Sequence, residues 1–446
     1  MNLLMMGGSR ILALLALGIA LSGCISTEAE PLCAGCNVIL ISVDALRADH
    51  VSSYGYGRNT TPTIDHMARS SLVYERAYSH SSWTRPSMGS VMTGKLPRRH
   101  GAYTEGRESF LDGSHETLAK TLKGMGYATS AHVAIGNVKD EFGFGHGFDS
   151  FSFYNRSYRA GGMLKEATEW ATRQDGPFFL WVHPSEPHFP YSPPKGYGSM
   201  FKEGMLKGEG SDGMSCTFRF DQDEDPINVD VVMDEKLLMD MLNAYDGEIR
   251  YLDDELGVFF YKLNEMGLAE NTLVIITADH GEQFMDHGGM FHGNALHEEL
   301  LRVPLIIYVP HVPPARTRAL AGLTDIYPTV AELVGAPKPG DIDGSSLMSG
   351  VERELVYAET DYRDNRMAAL VYEGEKVVHD YKSGETYYYS LSADSGERIP
   401  TRLEGPDEKT YLDIMEGRRS RQHTPSGESQ VSEETAEQLR EIGYVI

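Results

Sequence analysis

Two strongly apolar runs in this chain end on acids: NVILISVD stops at Asp44, and TLVIITADHG stops at Asp279 with His280 beside it. Between them, SSWTRPSMGSVMTG presents Thr84 directly ahead of Arg85 and Pro86. A helix beginning at Arg85-Pro86 would use Thr84 as its N-cap, since proline suits the first turn and a hydroxyl there can accept from free backbone N–H groups. That hydroxyl would face the positive end of the helix dipole. Carboxylates are ligands for hard cations. A divalent cation beside a polarised hydroxyl is the equipment for attack on a phosphoryl or sulfuryl ester.

These groups need a scaffold that carries them to one place. Runs of β-branched and aliphatic residues read as buried parallel strands, and in open α/β sheets the ligand crevice lies just past the carboxyl ends of the strands. Strand-like runs recur at 38–43, 128–134, 178–183, 273–277 and 303–309, separated by helical spacing at Thr117–Met125 and Asp234–Asn264. The alternation predicts an α/β fold, a mostly parallel central sheet flanked by helices. After Gly350 the stretches LVYAET, AALVYEG, EKVVHDYK and ETYYYSL alternate as a small antiparallel sheet would. The expected division is a leader over 1–23, a tether over 24–36, a main body over 37–350, a small β lobe over 351–403 and a polar tail over 404–446 with a short last helix from Ser432. The Gly-rich segment 196–230 reads as a long insertion near the crevice.

Composition narrows the partners. Among 446 residues, 65 acids against 40 bases give a formal net charge of −25, which repels an extended phosphate backbone and argues against nucleic acid. Near the N-terminus, Arg10, the apolar stretch ILALLALGIAL and then Ser22-Gly23-Cys24 form a short export signal. It is too short to span a bilayer. The LSGC string resembles a bacterial lipobox, which implies cleavage before Cys24, a lipid on its thiol and an exported protein anchored at a membrane surface; the alternative is a plain cleaved signal. Cys33 and Cys36, spaced CAGC, are weak zinc evidence and in an exported chain point to a small local disulfide or none. Cys216 reads as a surface thiol.

Six segments, taken in order, resemble the sulfatase branch of the alkaline phosphatase superfamily: NVILISVDALRADHVSSYGY; SSWTRPSMGSVMTG followed by LPRRHG; PFFLWVHPSEPHFPY; TADHGEQFMDHGGMFHG; LRVPLIIYVP; and TDIYPTVAELVGAPKPGDIDGSSL. The resemblance covers roughly residues 37–395. It implies that Asp44, Asp279 and His280 bind a divalent cation, with the Thr84 oxygen joining them. Calcium, magnesium, manganese or zinc would suit, and the imidazole shifts the balance toward transition metals. It also implies an active-site role for His188, near the leaving group, and for His292, on the ester oxygens or on a second cation. His183 and His287 stand where this branch often carries histidine; His183 is assigned to substrate, and either could instead be structural. Arg47 and Arg85 lie close enough in sequence to reach a substrate oxygen; the alternatives are that Arg47 packs on its own helix and that Arg85 points away from Thr84.

The chain also departs from sulfatases. Those enzymes need a Cys or Ser at the nucleophile position for oxidation to formylglycine, and Thr84 cannot follow because its secondary carbinol would give a ketone. Met88 replaces the motif's arginine, Ala45 replaces the second acid of the first strand, and no lysine-bearing GKWH-type segment lies near His132. The set Asp44, Thr84, Asp279 and His280 is similar to the threonine-nucleophile phosphodiesterases and phosphoglycerol transferases of the superfamily. Phosphate esters, diesters or lipid headgroups are therefore the favoured substrates, through a phospho-threonine. Sulfate-ester hydrolysis without formylglycine, and an inactive protein that binds anionic glycan, are the alternatives.

Overall fold

The computed structural model describes residues 30–155, 158–201, 235–426, 429 and 431–441. The leader, Cys24, Cys216 and most of the 196–230 insertion lie outside the described residues. In chain order the strands are β1 Asn37–Val43, β2 Leu72–Tyr78, β3 Ala128–Val133, β4 Ser150–Phe153, β5 Phe178–His183, β6 Thr272–Ala278, β7 Gln283–Phe284, β8 Met290–Phe291, β9 Arg302–Tyr308, β10 Ala315–Gly322, β11 Val356–Tyr362, β12 Asn365–Tyr372, β13 Glu375–Asp380, β14 Glu385–Ser390 and β15 Thr401–Arg402. The helices are α1 Pro62–Ala68, α2 Thr84–Thr93, α3 Pro97–His100, α4 Leu118–Gly124, α5 Ala160–Ala171, α6 Glu235–Glu265, α7 Glu298–Leu301, α8 Ile326–Val334, α9 Gly405–Arg419 and α10 Glu433–Glu441. None of the described helices is long and apolar enough to cross a membrane.

Eight strands form the central sheet in the order β10-β2-β9-β6-β1-β5-β3-β4. All are parallel except β9, which runs against both β2 and β6. The five apolar runs appear as β1, β3, β5, β6 and β9, and β1 and β6 are buried along their whole length because helices cover both faces. Strands β4 and β10 carry no such signal: they are the sheet edges, and their side chains are largely half-buried or exposed. Helix α4 starts where its cap requires, with the Thr117 side chain accepting from Lys120 N. Truncating a core residue of β1 such as Ile41 would cost about 2–5 kcal/mol and disturb the strand end that carries Asp44.

The C-terminal sheet is antiparallel, in the order β11-β12-β13-β14-β15. One face, with Val356, Ala358 and Val371, packs on Tyr78, Leu301 and Leu320 of the main body. The other, with Tyr357, Leu370 and Val377, is covered by Met415, Tyr411 and Leu412 of α9. The polar tail over 404–446 holds a second helix, α9, that the sequence did not signal: only one narrow face of it is apolar, so its periodicity is weak. The end of the tether read over 24–36 is fastened to the body. Cys33 N donates to Leu333 O at 2.8 Å, and a disulfide joins Cys33 to Cys36.

Buried histidines make this fold acid-sensitive. Burial pushes His80 and His132 down to about 4 and lowers His100 well below its ordinary value. In the unfolded chain each would titrate near about 6.5. Between these values the unfolded chain binds protons that the folded chain refuses, so this stability is present above about 6.5 and is lost as pH falls toward 4. Thermal unfolding recorded from pH 8 downward should show a Tm that declines steeply below about 6.5, with up to three protons taken up on unfolding by these residues. A Tm flat across that interval would contradict it.

Candidate active site

Strands β6, β1 and β5 lie side by side and parallel at the centre of the sheet. Their register pairs Val43 with Ala278 and Ile41 with Val182. The next residues of β1 and β6 are therefore Asp44 and Asp279, leaving the sheet one strand spacing apart, about 4.8 Å. His183 closes β5 on the other side. Ligand atoms of Asp44, His183 and Asp279 all fall within 4.8 Å of one another. His183 Nε2 lies 3.5 Å from Asp44 Oδ2, and His280 Nε2 lies 3.3 Å from Asp279 Oδ2 and 3.8 Å from Asp44 Oδ1. Thr84 Oγ1 is 3.3 Å from His280 Nε2. All five residues are fully buried.

The backbone is shaped to hold this cup. Ala45 adopts a left-handed conformation, φ 54°, costing roughly 1–2 kcal/mol for a residue with a Cβ. The turn lets Ala45 N donate to Asp279 Oδ1 at 3.1 Å, while His280 N donates to the same oxygen at 2.9 Å. Tyr245, from α6, donates to Ala45 O at 2.7 Å and accepts from Arg47 N at 3.0 Å. Gly281 is required next: a Cβ there would stand 1.9 Å from the Glu299 carbonyl oxygen.

The residues fit a divalent cation. His280 Nδ1 sits 2.7 Å from the Gly281 carbonyl, which can only accept, so Nδ1 carries the proton and Nε2 turns a lone pair toward the carboxylates. His183 Nε2 and Asp279 Oδ2 are buried without a hydrogen-bond partner. Burial, and then the neighbouring Asp44, push the Asp279 carboxyl up. Two facing carboxylates, both fully buried, call for a positive charge between them. His183, expected to meet substrate, thus stands among the groups that could hold the metal; two imidazoles with two carboxylates favour transition ions over calcium or magnesium.

Thr84 arrives differently from the expectation. Helix α2 starts at Thr84 itself, with Trp83 in the extended cap position. The hydroxyl faces His280 in place of a capping role. His188 and His292 join the same site, their rings 4.9 Å apart, with His292 4.4 Å from the His280 ring. His292 is held from behind by a residue the motif reading passed over. Glu282, fully buried, is 2.8 Å from His292 Nδ1 through Oε1 and accepts from the Tyr191 hydroxyl at 2.9 Å through Oε2. Burial pushes the Glu282 carboxyl up to about 8. Its position, two residues past His280, was the only signal in the sequence.

Three candidate side chains are taken up by protein partners. Arg47 makes five hydrogen bonds: Nε and Nη2 to Asp49, both at 2.8 Å, Nη1 and Nη2 to Asp286 at 2.9 and 3.1 Å, and Nη1 to the Glu282 carbonyl at 3.2 Å. A guanidinium has five N–H donors, so none remains for an ester. Arg85 turns away from Thr84, with Nη1 at 2.8–3.1 Å from the carbonyls of Thr104, Glu105, Gly106 and Ser109 and its guanidinium 3.7 Å from the Phe142 ring centroid. Both corrections share a cause: closeness in sequence does not fix where a long side chain points. His287 bonds Glu299 and the Gly396 carbonyl, outside the cup. Replacing Arg85 by leucine should cost about 3–5 kcal/mol, since it removes a buried charge and strands several backbone carbonyls. Denaturant unfolding measures this; a loss under 1 kcal/mol would refute the clamp.

The sulfatase family profile matches residues 36–336. The chain is 24% identical to the arylsulfatase of Clostridium perfringens, over 85% of this chain and 92% of that protein. It is 27% identical to the multifunctional alkaline phosphatase superfamily protein PehA of Trinickia caryophylli, over 74% and 80%. Among solved structures, the phosphonate monoester hydrolase of Agrobacterium radiobacter shares the fold with a TM-score of 0.68 at 19% identity, over 86% of this chain and 94% of that one. With its metal-ready cup at the ends of β5, β1 and β6, the chain belongs to the sulfatase family of ester hydrolases.

Proposed function

We propose that this hydrolase is an exported, divalent-metal-dependent enzyme that cleaves or transfers phosphate esters, with Thr84 as nucleophile. The observation that carries the reading is a threonine hydroxyl, not a cysteine or serine, 3.3 Å from the imidazole of a buried Asp/Asp/His/His cup. A threonine cannot become an aldehyde hydrate, so the group that attacks is the hydroxyl itself. Two similar proteins named for phosphonate or alkaline phosphatase chemistry support phosphorus esters on this scaffold. The leader over 1–23 directly ahead of Cys24 and the Cys33–Cys36 disulfide support export, with a lipid anchor on Cys24.

Asp44, Asp279, His280 and His183 would hold the cation. Bound there, it would lower the pKa of the Thr84 hydroxyl and screen the substrate's charge. The imidazole of His188 or His292 takes the proton of Thr84 Oγ1, which bonds to phosphorus as the bond to the leaving oxygen breaks. His188 or His292 hands that oxygen a proton. Water or an acceptor alcohol then takes the phosphoryl group and restores the hydroxyl. Glu282 and Tyr191 fix the His292 ring throughout.

The similarity to arylsulfatases favours a second reading, hydrolysis of sulfuric esters without formylglycine. A panel of aryl phosphate, phosphodiester, phosphonate and sulfate esters with manganese, zinc and calcium separates the two. Phosphodiester turnover well above sulfate turnover is expected. Preference for the sulfate ester would overturn the proposal.

A further inference from the structure

We propose that Asp112, His115 and His423 form a separate metal site, for a zinc-like transition cation, that fastens the C-terminal segment to the catalytic body. Asp112 and His115 sit in the turn ahead of α4, and His423 comes from the stretch between α9 and α10. One ligand atom from each lies within 4.8 Å of the others. Asp112 Oδ2 is 2.9 Å from His423 Nε2 and accepts from Ser426 N at 2.9 Å, while Oδ1 accepts from Ser114 N at 2.9 Å and from the Ser114 hydroxyl. The His115 and His423 rings stand edge to face, 4.6 Å apart.

The observation that asks for a ligand is His115. Its side chain is buried, the residue 4% exposed, and its ring is hydrogen-bonded to the His100 backbone, yet Nε2 is buried without a partner. An orphaned ring nitrogen beside a carboxylate and a second imidazole is the donor set of a zinc site with a fourth position left for water. Ligand atoms on a tetrahedral zinc stand about 3.3 Å apart, so closure needs a shift of roughly 1 Å. The His423 side chain is 31% exposed and can make that shift, while its backbone is held by His423 N donating to Arg98 O at 2.8 Å.

Charge separates this cluster from the other histidine group outside the cup. There, His287 and His297 lie near Glu397, but Lys376 Nζ is already 2.9 Å from Glu397 Oε1 and supplies the cation. At Asp112 the lysines are engaged elsewhere: Lys120 is bound to the carbonyls of Gly113 and His115, both at 2.7 Å, and Lys95, whose charge reaches His115, pairs with Asp341 at 3.5 Å.

The test is equilibrium dialysis of the whole protein against zinc, with metal counted per chain. The wild type should bind one equivalent more than the His115→Ala/His423→Ala variant, and Asp44→Asn should lose a different equivalent. His423→Gln, at a partly exposed position, should keep the fold intact, as circular dichroism would show. Zinc should slow proteolysis near residues 419–426 in the wild type but not in this variant. Equal zinc content in the wild type and the double variant, or zinc protection that survives His423→Gln, overturns the proposal. Because this cluster shares no residue with the cup, failure here leaves the Thr84 reading standing.

Discussion

Replacing Thr84 by alanine will lower phosphodiester turnover by at least about 10³-fold, a loss of roughly 4 kcal/mol of transition-state stabilisation. Thr84 is the first residue of α2, fully buried, and its hydroxyl faces His280. Removing an attacking group leaves binding and electrostatics in place, so the fall should appear in kcat with KM little changed. Thr84→Ser keeps the nucleophile and should retain turnover within about 10-fold, the remaining loss reflecting a missing methyl in a tightly packed turn. Steady-state kinetics on the three proteins decide the matter. Alanine turnover within 10-fold of the wild type would mean that water attacks and Thr84 only lines the cup.

Asp44→Asn should abolish metal-dependent activity and, in metal-free protein, raise stability. The two effects have one origin. Asp44 and Asp279 face each other, both fully buried, and Asp44 adds to the burial that already pushes the Asp279 carboxyl up. Without a cation this is like-charge repulsion, so neutralising one partner relieves it. With a cation the same pair is the binding energy, and stabilisation grows as RT ln(1 + [L]/Kd), about 4 kcal/mol at a thousandfold excess over Kd. Thermal unfolding with chelator and with added manganese or zinc should therefore show a large metal-induced rise in Tm for the wild type and almost none for Asp44→Asn. The chelated variant should unfold above the chelated wild type. Equal metal-induced shifts in the two proteins would remove Asp44 from the ligand set.

The placement of Asp44 and Asp279 was legible because two fully buried parallel strands must be apolar throughout, and a charge that ends such a run marks the strand's end. Their register could not be read. It took the pairing of Val43 with Ala278 to show that the acids leave the sheet together. His183 carried an ambiguous signal, since a histidine closing a strand is as often structural. Its neighbour across the sheet, Ser42, lies 2.8 Å from its Nδ1 and settles the ring's orientation. The reversed direction of β9 was hidden as well, because a buried strand looks the same in either sense. The partner of Arg47 was hidden, because Asp286 lies far along the chain and meets it only in the fold. Glu282 and Tyr191 stood inside quoted motifs, but nothing in the spacing distinguished an acid that orients a histidine from one at a surface turn.

The most direct test of the central claim is to quench the enzyme during phosphodiester turnover and weigh its peptides. A phosphoryl mass increment on the peptide bearing Thr84, absent from Thr84→Ala and from unreacted enzyme, is the predicted result. Sustained turnover with no modified peptide under acid quench, or with the group on another residue, would contradict it.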